Sequence, residues 1–146
     1  MDQHGILNKL VSILDQASVA VLATAEKEGQ PTIRWMVPAV LKGRPKSLFA
    51  LTSPEMGKYI SEKCFPEVTW MVQTVALDKV ITLKGKMNVI DNPSLKMEVL
   101  SIIGKKLHNF WKMDNKAKEF VVLETVLETG SYYVPLKALT ERVTFE

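Results

Sequence analysis

Apolar side chains at Ile6, Leu7, Leu10, Val11, Leu14 and Ala17 recur at three- and four-residue steps. That stripe predicts an amphipathic helix over 2–16. Residues 18–25 form a short β-branched apolar run closed by a charged turn with a glycine, which predicts a strand and a turn. A second strand is expected over 32–41 and a third over 47–52, joined by the polar segment 42–46. Three consecutive strands with short polar connections imply an antiparallel meander.

Ser53, Pro54 and Glu55 read as the N-cap, first helical position and first turn of a short helix ending near Cys64, ahead of Pro66. Strands over 68–75 and 79–90 follow. In the second of these, Ile81, Leu83, Gly85, Met87 and Val89 alternate with polar residues, so one face is buried and the other wet. Asn92 and Pro93 open a longer helix with the stripe Val99, Leu100, Ile103, Leu107, Phe110 and Trp111. Strands over 119–127 and 131–134 and a tail complete the chain. No strand–helix–strand rhythm of a parallel sheet is present. The order therefore implies a mostly antiparallel β-barrel of six or seven strands with flanking helices, because closure hides strand edges.

The chain has 146 residues and is 47% apolar, a size that fits one domain over 1–146. A domain of this length buries roughly two-thirds of its unfolded surface and needs neither disulfide nor structural metal to fold. A net charge of +3 gives no support to nucleic-acid or membrane binding. The longest uncharged runs, 16–25 and 68–77, are ten residues each, too short for a membrane-spanning helix. One cysteine, Cys64, excludes an intrachain disulfide and fits a reducing compartment, where a lone cysteine acts as a small buried residue. With no secretory leader in the opening residues, a cytoplasmic protein is expected.

Of nineteen Lys and Arg, only Arg34, Arg44 and Arg142 are Arg. Arg34 stands inside an otherwise uncharged strand. Such a guanidinium pairs with a carboxylate, reaches solvent at a sheet edge, or holds a phosphate with its planar donor fork. The turn Leu51-Thr52-Ser53-Pro54 enters a helix that carries Lys58 one turn later. A helix N-terminus with hydroxyls and a lysine is an anion site or an ordinary cap. If the strand bearing Arg34 pairs with the one ending at Thr52, Arg34 and Lys58 approach one phosphate. His4 and His108 are isolated and form no recognisable metal site. The lysines at 105, 106, 112, 116 and 118 read as a solvated helix face.

In this combination the sequence resembles the FMN-binding split barrels related to pyridoxamine 5′-phosphate oxidase, in particular the short general stress proteins. The resemblance spans nearly the whole chain, through Val-Leu-Ala-Thr-Ala, a glycine turn, Pro-Thr-Ile-Arg-Trp-Met-Val, Phe-Ala-Leu-Thr-Ser, Lys58 and Phe-Pro-Glu-Val-Thr-Trp-Met-Val. It implies a homodimer with FMN at the subunit interface and a flavin-dependent oxidoreductase, with NAD(P)H as a candidate electron donor. Arg34 and Lys58 would hold the FMN phosphate. Trp35, Met36 and Val37 would run along the ring, Leu51 and Thr52 would add contacts, and Gly57 would lie beside the phosphate. Lys79 and Trp111 are further flavin-contact candidates, although Trp111 on its helical stripe also reads as core. A non-catalytic flavin protein, or the same fold holding F420 or haem, is the alternative. The end Thr-Glu-Arg-Val-Thr-Phe-Glu lacks the Arg-x-His motif of the full-length oxidases, which argues against that vitamer as substrate. Gly57 stands where those enzymes place a basic residue, so one phosphate-binding charge is absent.

Overall fold

The computed structural model describes residues 1–107 and 119–146. Helix α1 (Gln3–Ala17) is followed by β1 (Ala20–Ala25), β2 (Pro31–Met36), β3 (Ala39–Leu41) and β4 (Arg44–Thr52). Then come α2 (Pro54–Lys63), β5 (Glu67–Gln73), β6 (Val80–Ile90), α3 (Pro93–Leu107), β7 (Val121–Val134), a short 3-10 turn (Pro135–Lys137) and β8 (Leu139–Thr144). All pairings are antiparallel, in the order β2-β1-β5-β6-β7-β4-β3, with β8 beside β7. The two ends of this path, β2 and β3, are consecutive in the chain and joined by Val37 and Pro38 alone. The sheet is thus curled until its first and last strands meet at a covalent link, without a hydrogen-bonded seam: a split barrel.

This seam corrects the expected meander. Residues 32–41 are two strands, because Pro38 has no N–H to continue a ladder. β2 pairs with β1 and β3 with β4, so the strand bearing Arg34 does not hydrogen-bond to the strand ending at Thr52. Two further readings change. The segments 119–127 and 131–134 are one continuous strand, β7, and the expected tail forms β8 on it.

Inside the barrel lies the main core, built on Leu22, Leu48, Trp70, Val72, Ile81, Leu83 and Leu123. α1 is capped by Asp2, whose carboxylate accepts the Gly5 N–H at 2.8 Å, and it buries Ile6, Leu10, Ile13 and Leu14 in this core. Trp70 is fully buried and donates its indole N–H to Thr125 Oγ1 at 2.9 Å, which satisfies both polar groups. A second core of Val37, Ala39, Leu41, Phe49, Leu95, Val99, Ile103 and Val122 lies between α3 and the outer face of β3, β4 and β7. β4 therefore buries successive residues Leu48, Phe49 and Ala50, one core taking each face. Among the described residues no helix is long and apolar enough to cross a membrane.

Candidate functional site

Met36 belongs to the main core and the next residue, Val37, to the second. The chain therefore crosses from one core to the other at the barrel seam. A cavity of about 270 Å³ opens there, lined by Arg34, Trp35, Met36, Val37, Leu51, Thr52, Ser53, Met56, Ile103 and Phe120. The seam, β4's end, the start of α2 and α3 each supply part of the wall. Most of the wall is apolar, and the polar contributions are one guanidinium and two hydroxyls.

Alternation along β2 turns Thr32, Arg34 and Met36 to the face that Ala20, Leu22 and Thr24 of β1 bury, while Ile33 and Trp35 face outward. Arg34 is thus a cation on the inward side of an edge strand. Its Nη2 donates to Thr32 Oγ1 at 2.9 Å, and Thr32 Oγ1 shares a 2.9 Å hydrogen bond with Thr24 Oγ1, itself buried. The hydroxyl pair holds one arm of the fork. The other nitrogen, Nη1, is buried with no hydrogen-bond partner. A buried charged donor left unpaired costs more than an ordinary hydrogen bond is worth, so this atom requires an acceptor. A phosphate or carboxylate oxygen in the cavity fits that requirement.

The start of α2 contributes less than its sequence suggests. Ser53 Oγ accepts the Met56 N–H at 3.2 Å, Ser53 O accepts the Gly57 N–H at 2.9 Å, and Pro54 has none to offer. The donors this end of the cavity offers are therefore the Arg34 guanidinium and side-chain hydroxyls more than free helix-end amides.

The structure brings together Arg34, Trp35, Met36, Val37, Leu51 and Thr52. It places three other expected residues away from the lining. Lys58 is exposed two positions past Met56, a step that turns it to another side of α2. Gly57 is buried against β7: a Cβ there would lie 2.7 Å from Val121 Cγ2, so helix–sheet packing accounts for the glycine. Lys79 closes the β5–β6 turn, its N–H donating to Thr74 Oγ1 at 3.3 Å. Trp111 and His108 lie outside the described residues.

Thr24 and Thr32 did not stand out in the sequence. Their signal was Thr32's place two residues before Arg34 on the same strand face, which becomes informative only once the hairpin register sets Thr24 opposite. Ile103 and Phe120 carried no signal beyond apolar character.

No protein-family model and no curated protein sequence matches the chain. Solved structures do. A Clostridium acetobutylicum protein related to general stress protein 26 of Bacillus subtilis, of the pyridoxinephosphate oxidase family, superposes with a TM-score of 0.70 at 15% identity, over 96% of each chain. General stress protein 26 from Bacillus anthracis gives 0.64 at 15% identity, over 94% of this chain and 98% of its own. A FAD-binding protein from Mesorhizobium loti gives 0.63 at 18% identity, over 86% and 91%. At these identities the likeness is one of fold, and it is the split barrel on which pyridoxamine 5′-phosphate oxidase-type and flavin-binding proteins are built.

Proposed function

We propose that the chain is an FMN-binding member of the pyridoxamine 5′-phosphate oxidase-related group and works as a flavin-dependent oxidoreductase on a small substrate. The observation that carries this reading is Arg34 Nη1, a buried cationic donor without an acceptor on a residue that lines an apolar cavity. In this reading Arg34 takes the FMN phosphate, with Thr52 and Ser53 hydroxyls beside it. The backbone and side chains of Trp35, Met36 and Val37, with Leu51 opposite, form the wall for the ring. Lys58 belongs to the long-range field around the phosphate, and Gly57 acts through packing. A bound flavin supplies hydride exchange, and this chain's residues anchor it, orient it and exclude water from one face.

At about 270 Å³ the cavity is smaller than the roughly 300–1,000 Å³ of pockets that enclose a whole ligand. A whole flavin would be only partly enclosed. We assign the rest of the cover to a second copy of the chain. Ile33 and Trp35 are 74% and 58% exposed on the outer face of β2, and Met71, in the same cross-strand row as Trp35, adds to this apolar surface. Contiguous exposed apolar surface of this kind marks an interaction site.

The test is the absorption spectrum of the protein as isolated and after addition of FMN. A flavin spectrum that NADH or NADPH bleaches without oxygen, with turnover on adding an acceptor, is expected. Bound flavin with no reduction by either nucleotide would leave a binding protein and no oxidoreductase. A haem or F420 spectrum, or no uptake of FMN, would contradict the cofactor assignment.

A further inference from the structure

We propose that the outer face of β6, β7 and β8 carries a second ligand site, separate from the Arg34 cavity, for the phosphate of a small phosphorylated sugar or polyol. Register builds it. Thr82, Ser131 and Arg142 form one row across the three strands, and Lys84, Thr129 and Thr144 form the next, two residues along. Residues two apart share a face, so all six side chains stand together. They line a concavity of about 360 Å³.

Its chemistry is one-sided: two cations, four hydroxyls and no carboxylate. The neighbouring acids are held elsewhere. A bulge between Lys84 and Gly85 takes Glu128 out of the pairing register, and its carboxylate lies 4.0 Å from Lys86 Nζ. Glu141 lies 3.5 Å from the N-terminal ammonium. Among the described residues Lys84 and Arg142 therefore have no ion-pair partner, whereas Arg44 and Lys86 each have one. Two unneutralised cations of different shape, one a fork and one a point charge, suit a phosphate dianion. Hydroxyls both donate and accept, so they complement the hydroxyls of a polyol body. No aromatic side chain lines the concavity to stack on a ring such as a flavin's. Trp35 and Arg142 end one cross-strand row, Trp35–Val21–Met71–Thr82–Ser131–Arg142, five strand steps or about 24 Å measured along the curved sheet at the usual spacing. The site thus stands independently of the flavin reading.

Residue-resolved NMR of the full chain, titrated with ribose 5-phosphate, inorganic phosphate and ribose, tests this. Saturable shifts of the Thr82, Ser131 and Thr144 amides are expected with ribose 5-phosphate, weaker binding with phosphate, and none with ribose. Lys84→Ala and Arg142→Ala should each weaken ribose 5-phosphate about tenfold, the scale of a lost charge-assisted hydrogen bond. Arg34→Ala should leave these shifts unchanged. Both replaced side chains are exposed, and retained amide dispersion verifies the fold. Shifts confined to the Arg34 region, equal affinity in both variants, or ribose binding as well as its phosphate would each overturn the proposal.

Discussion

The two terminal nitrogens of Arg34 differ in environment, and that difference is the most informative feature at the residue scale. Nη2 is held by Thr32, and Nη1 is buried and unpaired. Thr32→Val keeps strand propensity and volume while removing the hydroxyl that orients the fork. It is expected to weaken flavin binding by about 1 kcal/mol, the scale of one hydrogen bond, in a fluorescence titration. Unchanged affinity would show that Thr32 does not position Arg34. Gly57→Ala separates packing from binding. The added methyl meets Val121 and should lower stability by about 1–3 kcal/mol, the scale of overpacking, visible as a lower Tm. Weakened flavin binding at an unchanged Tm would restore Gly57 to the phosphate site. Arg34 was legible in the sequence because a charge in an apolar strand is anomalous there. The roles of Thr32 and Gly57 depend on which atoms face them, which neither residue's identity encodes. Tyr59 gives a pH prediction: its hydroxyl donates to the Glu26 carboxylate, and this bond, with partial burial, pushes its pKa up to about 12. The native state then holds this proton more tightly than the unfolded chain. The resulting stabilisation is complete below the ordinary value near 10 and is lost as pH rises through about 12. An alkaline ultraviolet titration of wild type minus Tyr59→Phe should show that late midpoint, and a midpoint near 10 would contradict it.

Helices were more legible than strand connections at the scale of elements. α2 begins and ends where its cap residues indicate, with Ser53 Oγ on the Met56 N–H and Pro66 beyond its end. Ser53→Ala should cost about 1 kcal/mol through loss of this cap, and a chemical denaturation midpoint will show it. No change in midpoint would mean the start of α2 is held by packing alone. Strand limits are harder to read, because one residue type serves two purposes. Gly130 falls in the gap between the strands expected over 119–127 and 131–134, yet it lies inside β7. A Cβ there would come within 3.0–3.2 Å of the side-chain ends of Leu83, Ile6 and Phe145, so the glycine sits in a tightly packed part of the main core. The opposite holds over 32–41, where an apolar run is continuous in sequence across Pro38 but the strand is not. Met36 is buried in one core and Val37 and Ala39 in the other, and apolar periodicity cannot distinguish one core from two. That break creates the seam, and the seam creates the cavity.

The fold class was readable at the scale of the whole molecule, because the element order and absence of a parallel-sheet rhythm leave few closed arrangements. How the ends meet was not readable, since it depends on pairings between strands distant in the chain, such as β4 with β7. The outer face of the barrel is divided, apolar over β2, β1 and β5 and basic and hydroxylated over β6, β7 and β8. The first half is assigned to a second copy. Ile33→Lys combined with Met71→Lys places charges on that surface and should convert a dimer to a monomer in light scattering, with the circular dichroism spectrum unchanged. A wild-type monomer, or a dimer that survives both substitutions, would contradict the interface. All of this converges on the unpaired nitrogen at the seam. The most direct measurement is titration of the purified protein with FMN, followed by quenching of flavin fluorescence, in wild type and Arg34→Ala side by side. Saturable binding that Arg34→Ala weakens by about 1.5–3 kcal/mol, the scale for a charged hydrogen bond, is the predicted result. Equal affinity in both proteins would contradict the account.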